Sequence, residues 1–308
     1  MVSVVIPAYN YARYLHEAIG SALGQGSPDC PVEIVVLDDG STDDTPAVAA
    51  AFGSAIRYQR QENAGLSAAR NAGMRAASHD LVIFLDADDR LLPGAVGTLV
   101  EVWQKADPPF AVLASRNVEM DAEGRQLDSP PPPDTGGISR VSARDLVIRN
   151  RFATTVLADR RILLGLGGFD ESLPASEDRD MWIRVAASHP VALLDRVTLA
   201  VRKHGANMSK AATRQSLAID RVLAKAFADP ALGLSSRDRR LARAVRHYQS
   251  ALMRTNAGET GAALAEMATS LALVPFGGAG DDALPLVPRY RGLASLALKC
   301  LRQWRRNK

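Results

Sequence analysis

The sequence contains few cysteines, few aromatic residues and no long apolar segment. Only two of its 308 residues are cysteines, Cys30 and Cys300, and they stand far apart, so the chain has no disulfide framework and fits a reducing compartment. No window approaches the roughly 18 consecutive apolar residues of a membrane-spanning helix. The first residues lack the basic and apolar regions of a signal peptide, and we therefore expect a cytoplasmic protein.

An excess of one charge sign is also lacking. The net charge of +3 is too small to indicate nucleic-acid binding. The carboxylates are unevenly placed, however. An apolar run at 81–85, typical of a strand buried on both faces, is followed at once by Asp86, Asp88 and Asp89. Such crowded carboxylates repel each other and suit Mg²⁺ or Mn²⁺, so we predict a divalent metal and a phosphorylated ligand at this strand end.

Strand-like and helical segments alternate over the first hundred residues. This alternation predicts an α/β fold with a mainly parallel sheet flanked by helices. Asn10 is the expected N-cap of the first helix. The predicted strands are 2–6, 33–37, 55–59 and 81–85, and the predicted helices are 12–23, 43–52, 66–77 and 93–105.

The pattern changes in the later part of the chain. A strand is expected at 110–118, and a proline-rich loop at 128–137 is either a surface linker or part of a binding wall. From residue 144 the chain is predicted to be mostly helical, with four long helices near the C-terminus at 210–228, 237–255, 259–273 and 290–305. We therefore predict an α/β domain at 1–208 and a C-terminal all-α appendage at 209–308.

Three of the predicted strands end in polar residues. The first is followed by the segment Pro7-Ala8-Tyr9-Asn10, the second by Asp38-Asp39-Gly40-Ser41, and the strand at 81–85 by the acidic cluster already described. Strand ends of this kind lie along one edge of an open parallel sheet, where ligands bind. The sequence thus predicts one composite site.

Five motifs carry a resemblance to a known family. They are VSVVIPAYN at 2–10, VVLDDGSTD at 35–43, GLSAARNAG at 65–73, FLDADD at 84–89 and SEDRDMW at 176–182. In this order they make the chain similar, over roughly residues 2–208, to a family 2 glycosyltransferase of the GT-A fold. The resemblance implies an inverting transferase that uses a nucleotide-diphosphate sugar, most often a uridine one, with Mg²⁺ or Mn²⁺.

The resemblance also implies donor and metal ligands. Asp88 and Asp89 would hold the metal, Asp86 would be shared between the donor and the metal, and Asp88 would also contact the donor. His204 would lie near the metal and diphosphate, or would be structural. A metal at this place would stabilise the negative charge on the departing diphosphate.

Other residues would bind the nucleotide. Asp39 would accept from the N3–H of uracil, unless the Asp38–Asp39 pair only shapes a turn. Pro7, Ala8 and Tyr9 would line the base and ribose pocket. Arg70 is expected on an inward helix face, where a phosphate or a nearby carboxylate would be its partner.

The catalytic base is the remaining role. In a helix that starts near residue 176, Asp178 shares a face with apolar residues, and its place in the first turn lets the helix dipole favour the anion. The resemblance assigns the base to this aspartate, with Glu177 and Asp180 as the next candidates. The alternative is a plain N-terminal charge on a helix.

The C-terminal helix is basic and amphipathic. It either packs on the protein with a solvated basic end or lies on an anionic membrane surface, which would suit a lipid-linked acceptor. The apolar face is expected to contain Leu293, Leu296, Ala297, Cys300, Leu301 and Trp304.

Two other functions stay open at this point. One is a non-catalytic protein that binds a nucleotide sugar or acts as a scaffold. The other is a metal-dependent phosphatase, since an apolar strand that ends in Asp-x-Asp also occurs in the haloacid-dehalogenase phosphatases. That class places the strand first in its domain, whereas here two motif-bearing strands precede it. The acceptor of a transferase would be a saccharide or lipid-linked glycan.

Overall fold

The computed structural model describes residues 1–27, 30–127, 134–152, 155–203, 212–276 and 284–306. The chain divides into two compact units. The sheet unit contains Met1–Ser142, Arg151–Leu173 and Glu177–His204, and the helical unit contains Ala143–Asn150, Pro174–Ser176 and Gly205–Lys308. The predicted boundary at residue 208 lies outside the described residues, as does the segment 128–133 of the predicted proline-rich loop.

The sheet unit is built on nine strands. They are β1 (Val2–Ala8), β2 (Val32–Asp38), β3 (Arg57–Arg60), β4 (Leu81–Phe84), β5 (Arg90–Leu91), β6 (Val112–Met120), β7 (Ile138–Arg140), β8 (Val156–Asp159) and β9 (Val191–Arg202).

These strands form one mixed sheet in the order β3-β2-β1-β4-β8-β6-β9-β5, with β7 also paired to β9. The half formed by β3, β2, β1 and β4 is parallel, as predicted. In the other half, β8 runs antiparallel to both β4 and β6, and β9 runs antiparallel to β5 and β7, whereas the long pairing of β6 with β9 is parallel. The α/β class is confirmed, but the expectation of a mostly helical chain after residue 144 was wrong for β8 and β9.

Eleven α-helices lie in the described part of the chain. They are α1 (Ala12–Leu23), α2 (Thr45–Ala50), α3 (Leu66–Ala76), α4 (Ala95–Gln104), α5 (Ala143–Ile148), α6 (Arg160–Gly165), α7 (Glu177–Ala186), α8 (Ala212–Ala228), α9 (Ser236–Asn256), α10 (Thr260–Leu273) and α11 (Leu286–Arg306).

Alternate residues of β1 face opposite layers of the sheet unit. Val4 and Ile6 belong to a buried cluster that includes Leu15 and Ile19 of α1. On the other face α3 approaches so closely that a Cβ on Gly73 would lie 2.3 Å from Cγ1 of Val5. Glycine at this position therefore sets the depth at which α3 packs on β1.

An aromatic stack fixes α7 beside the end of β4. The ring of Phe169 makes edge contacts with Phe84, at a centroid distance of 5.2 Å, and with Trp182, at 5.9 Å. Phe84, Phe169 and Trp182 are all buried. Because Phe84 ends β4 and Trp182 lies in α7, this packing holds the N-terminus of α7 near the acidic turn after β4.

The expected N-cap of α1 was wrong. Asn10 adopts a left-handed backbone with φ of 58°, and its Oδ1 accepts from the backbone N–H of Thr42 at 2.7 Å. The backbone N–H of Ala12 is instead satisfied by Oδ2 of Asp43 at 3.0 Å. A carboxylate from the loop after β2 therefore caps the first turn of α1, and Asn10 ties together the loops after β1 and β2.

The helical unit is held together by an apolar cluster and a polar network. Ile148 of α5 packs with Leu241 and Val245 of α9. Arg246 of α9 pairs with Asp220 of α8 and with Glu266 of α10, so one guanidinium joins three helices. No helix of the described part is long and apolar enough to cross a membrane.

Candidate functional site

The loops after β1 and β2 form one end of the candidate site. Asp39 is 3% exposed, and its carboxylate accepts from Gln61 Nε2 at 2.7 Å and from the backbone N–H groups of Ala64 at 3.0 Å and Gly65 at 2.8 Å. These bonds hold the segment that leads into α3 against the end of β2. Any contact of Asp39 with a base would be made by a carboxylate that already accepts three hydrogen bonds.

Asp38 has a structural role. It is fully buried, accepts from Tyr58 Oη at 2.6 Å, and closes the following turn by accepting from the backbone N–H of Ser41 at 2.8 Å. Arg60 lies 3.7 Å from the same carboxylate. The turn-forming alternative is therefore the one that the contacts of Asp38 support.

Pro7 and Ala8 lie at the end of β1, beyond its pairing with β4, and Tyr9 follows directly. The pairing of β1 with β4 ends at Val5, so the missing N–H of Pro7 interrupts no hydrogen bond on that side. Ala8 is buried, whereas the ring of Tyr9 is 44% exposed. The tyrosine is thus the member of this trio with surface available for a ligand.

The acidic turn begins directly after β4. The backbone N–H of Asp89 donates to the carbonyl of Asp86 at 3.0 Å, which places three carboxylates on one tight turn. Burial, followed by the charges of Asp86 and Asp88, raises the pKa of Asp89 well above its usual range. Burial and the same acidic turn also raise the pKa of Tyr11. The turn is therefore a region of concentrated negative potential.

Arg202, at the end of β9, anchors this turn from inside. Its backbone N–H donates to Asp89 Oδ1 at 2.9 Å, and its Nε donates to the carbonyl of Asp88 at 2.8 Å. The guanidinium is 1% exposed, pairs with Glu17 of α1 and lies over the ring of Tyr14 at 4.7 Å. A buried cation thus fixes the backbone of the turn.

Arg70 of α3 joins the acidic turn to α7. Its Nη2 lies 2.8 Å from Asp86 Oδ1, its Nη1 pairs closely with Glu177, and the side chain is 1% exposed. The guanidinium also lies over the ring of Phe169 at 5.5 Å. The sequence predicted either a phosphate or a nearby carboxylate as the partner of Arg70, and the structure shows carboxylates. The Nε–H of Arg70 has no hydrogen-bond partner among the described residues.

Asp178 follows Glu177 in the first turn of α7. Burial and the neighbouring charge of Glu177 raise the pKa of Asp178 to about 6, while Arg70 partly offsets them. A carboxylate with this pKa is ionised at neutral pH and is still basic enough to accept a proton from a hydroxyl that reacts as a nucleophile. Asp180 is instead held by Arg184 at 2.8 Å, which leaves it less suited to such a role.

The predicted metal ligands are only partly within the described residues. His204 lies outside them. Within the described ranges, no group of three or more His, Cys, Asp or Glu side chains is arranged to hold a metal ion. Asp89 is 6% exposed, and its Oδ1 accepts from the backbone N–H of Arg202. The donor set fits a cation that takes one or two carboxylates and completes its shell with phosphate oxygens.

Sequence reasoning missed Arg202, Glu17 and Tyr11. The ion pair between Arg202 and Glu17 joins residues 185 positions apart, and no local pattern marks either one. Glu177 was considered only as a second candidate for the base, whereas its contact with Arg70 gives it a bridging position. The burial of Arg202 at the end of β9, which requires a partner for its charge, becomes visible only in the structure.

The fold defines the class of protein. The structure resembles that of Staphylococcus aureus TarS residues 1–349 in complex with UDP-GlcNAc, with a TM-score of 0.66 over 100% of this chain and 92% of that one at 16% identity. It also resembles the mannosyltransferase PcManGT from Pyrobaculum calidifontis in complex with GDP-Man and Mn²⁺, with a TM-score of 0.59 over 98% and 82% of the two chains at 21% identity. The fold is that of the GT-A glycosyltransferases.

The family follows from sequence comparison. Residues 3–163 match the family described as Glycosyl transferase family 2, and the chain belongs to that family. An uncharacterized glycosyltransferase of Rickettsia felis is 29% identical over 214 residues, which are 68% of this chain and 35% of that protein. Chondroitin synthase of Escherichia coli is 29% identical over 212 residues, 68% of this chain and 30% of that protein. The chain thus spans about a third of the length of these relatives.

Proposed function

We propose that the chain transfers a sugar from a nucleotide-diphosphate sugar, with uridine as the first choice of base, to a hydroxyl of a saccharide or lipid-linked acceptor. The supporting observation is the bridge made by Arg70 between Asp86 after β4 and Glu177 at the start of α7. This bridge brings the predicted donor-binding turn and the predicted catalytic helix together in one site.

The donor would lie along the carboxyl ends of β1, β2 and β4. Tyr9 supplies an exposed ring for the base, and Asp39 lies at the neighbouring strand end. Asp86 and Asp88 would contact the ribose and diphosphate side of the donor. Arg70 would donate to a phosphate oxygen through its Nε–H, which has no hydrogen-bond partner among the described residues, while Nη1 and Nη2 keep their carboxylates.

A divalent metal fits the acidic turn. We propose Asp88 as the main protein ligand, with Asp89 contributing through the oxygen that does not accept from Arg202, and with His204 as a further candidate. When bound, Mg²⁺ or Mn²⁺ would stabilise negative charge on the diphosphate oxygens. The chain's own contribution is to hold the turn rigid through Arg202 and to exclude water from Asp89.

Asp178 would act as the general base. In the proposed reaction the acceptor oxygen forms a bond to the anomeric carbon, the bond from that carbon to the diphosphate breaks, and the hydroxyl proton passes to Asp178. Attack opposite to the departing diphosphate inverts the anomeric centre. The pKa of about 6 matches this role, and general-base assistance contributes about 10²–10⁴ in rate.

Donor binding is tested by thermal shift. The full chain is heated with UDP, dTDP or GDP sugars, each with and without Mn²⁺. A ligand that binds the folded form raises the unfolding midpoint, and we expect the largest rise with a uridine sugar and metal together. The absence of a shift with every sugar nucleotide would reject the proposal.

Transfer is tested separately from binding. Asp178→Asn should keep the donor-induced shift and lose transfer, whereas Asp88→Asn should weaken the Mn²⁺-dependent part of the shift. Donor binding without any transfer or donor hydrolysis by the unmodified chain would favour a non-catalytic nucleotide-sugar binding protein. Activity on simple phosphate esters would instead favour a phosphatase.

A further inference from the structure

The last helix, α11, has two apolar faces. One faces the helical unit: Leu296 is 4% exposed and belongs to a cluster with Met267 and Leu271 of α10. A Cβ on Gly292 would lie 3.1 Å from Cε of Met267, so the two helices approach closely. This inner face accounts for the packing of α11 on α10.

The other face remains exposed. At about 100° of rotation per residue, its large side chains at positions 287, 290, 298 and 301 lie on the side of the helix roughly opposite to Leu296. The exposed fractions are 56% for Val287, 47% for Tyr290, 55% for Leu298 and 56% for Leu301. The sequence placed Leu301 on the same face as Leu293 and Leu296, and the structure separates it from them.

The charge of α11 is of one sign. The helix carries six arginine and lysine residues and no acidic residue, against a net charge of +3 for the whole chain. The rest of the chain therefore has a net charge of −3, obtained as +3 minus +6. Arg291, Lys299 and Arg302 are exposed, and Arg291 and Arg302 lie close in angle to Leu298 along the helix. The positive potential and the outer apolar face thus coincide.

We propose that the outer face of α11, defined by Val287, Tyr290, Leu298 and Leu301, binds the surface of an anionic lipid bilayer. The leucine side chains would enter the region between the headgroups and the acyl chains, and the tyrosine would lie at the level of the headgroups. The flanking arginine and lysine side chains would contact lipid phosphates. The helix would lie on the bilayer and not cross it. Charge complementarity selects this occupant, because a face of uniform positive charge is repelled by a second copy of itself.

The test is co-sedimentation of the full chain with lipid vesicles. We expect binding to vesicles that contain phosphatidylglycerol and little binding to pure phosphatidylcholine, with binding weakened at high salt. Combined Arg291→Gln and Arg302→Gln should lower the anionic-vesicle affinity by about fivefold for each charge removed. Combined Leu298→Ser and Leu301→Ser should lower it at least about tenfold.

Leu217→Ser is the matched control. Leu217 is 57% exposed on α8, so the same chemical change is made at an equally exposed leucine outside α11. This variant should bind vesicles like the unmodified chain. Circular dichroism spectra and unfolding midpoints should coincide for all variants, since none of the substituted side chains is buried.

Two outcomes would overturn the inference. Equal binding to neutral and anionic vesicles, or to neither, would exclude recognition of an anionic surface. Concentration-dependent self-association that is lost with Leu298→Ser and Leu301→Ser would assign the face to a second copy of the chain. Donor-induced thermal shifts are measured on the same samples, so failure of membrane binding is distinguished from failure of the proposed transferase function.

Discussion

Replacement of Asp178 by asparagine should strongly reduce transfer and at the same time stabilise the folded protein at neutral pH. In the native structure, burial and repulsion by Glu177 disfavour the charged form of Asp178, and the attraction of Arg70 only partly offsets them, so that its pKa rises from 3.8 to about 6. Asparagine has a similar shape and carries no charge. The variant therefore removes an unfavourable charge from the native state.

The sign and the size of the effect follow from this pKa. Between the two values the native state retains a proton that the unfolded chain has released, so the stability of the unmodified protein falls as the pH rises from about 4 to about 6. The difference between a pKa of 3.8 and one of about 6 corresponds to at most about 3 kcal/mol in the free energy of unfolding. The asparagine variant should gain this amount gradually over that range and keep it at higher pH.

The measurement is urea unfolding of both proteins across the range from about pH 4 to pH 8. Asp180→Asn is a suitable control, because the same change on the same helix breaks the ion pair with Arg184 and should lower stability. Transfer by Asp178→Asn should fall by about 10²–10⁴. A stability difference that is independent of pH, or a loss of stability like that of the control, would refute this account of the charge at Asp178.

Three further predictions follow from particular contacts. Gly73→Ala should lower the free energy of unfolding by about 1–3 kcal/mol, because the new methyl group would overlap Val5 of β1. Gly97→Ala in α4 is the control: the methyl group enters open space, and the variant should be more stable by about 0.5–1 kcal/mol, with both changes measured by denaturant unfolding. Arg202→Lys should raise the Mn²⁺ concentration required for half-maximal activity, while Arg90→Lys, which alters the exposed partner of the same Glu17, should leave it nearly unchanged. The kcat/KM for the acceptor should decline about tenfold per pH unit below about pH 6, as Asp178 becomes protonated, and a profile flat to pH 4 would contradict its role as the base.

The parallel half of the sheet was predictable because its signals are local. Strands β1, β2 and β4 are short β-branched or apolar runs, whereas β3 has the polar sequence RYQR and is the weakest signal of the four. The predicted helix at 12–23 has the observed bounds of α1. The four C-terminal helices were also predicted within a few residues of their starts and ends. The helical spacing of apolar residues is a property of the local sequence and can be recognised without knowing what the helix packs against.

The other half of the sheet was not predictable in the same way. Strand β8 is four residues long and leads directly into α6, and β9 contains Asp195 and Arg196 in its middle. Such short or interrupted runs carry weak patterns of their own. They become strands through pairing with strands that are distant in the chain: β8 pairs with β4 and β6, and β9 pairs with β6, β5 and β7, which is a tertiary condition.

The sequence by itself determined the alternating elements, the edge at which three polar strand ends meet, and the acidic turn at 86–89, because these depend on residues that are neighbours along the chain. Tertiary structure decided which acidic groups pair with the two arginines that contact this turn. Arg70 reaches Glu177 across 107 positions and Arg202 reaches Glu17 across 185, and only the packing of α3, α7 and β9 brings these groups within hydrogen-bonding distance. An ion pair depends on separation in space, and the order of residues along the chain does not encode that separation.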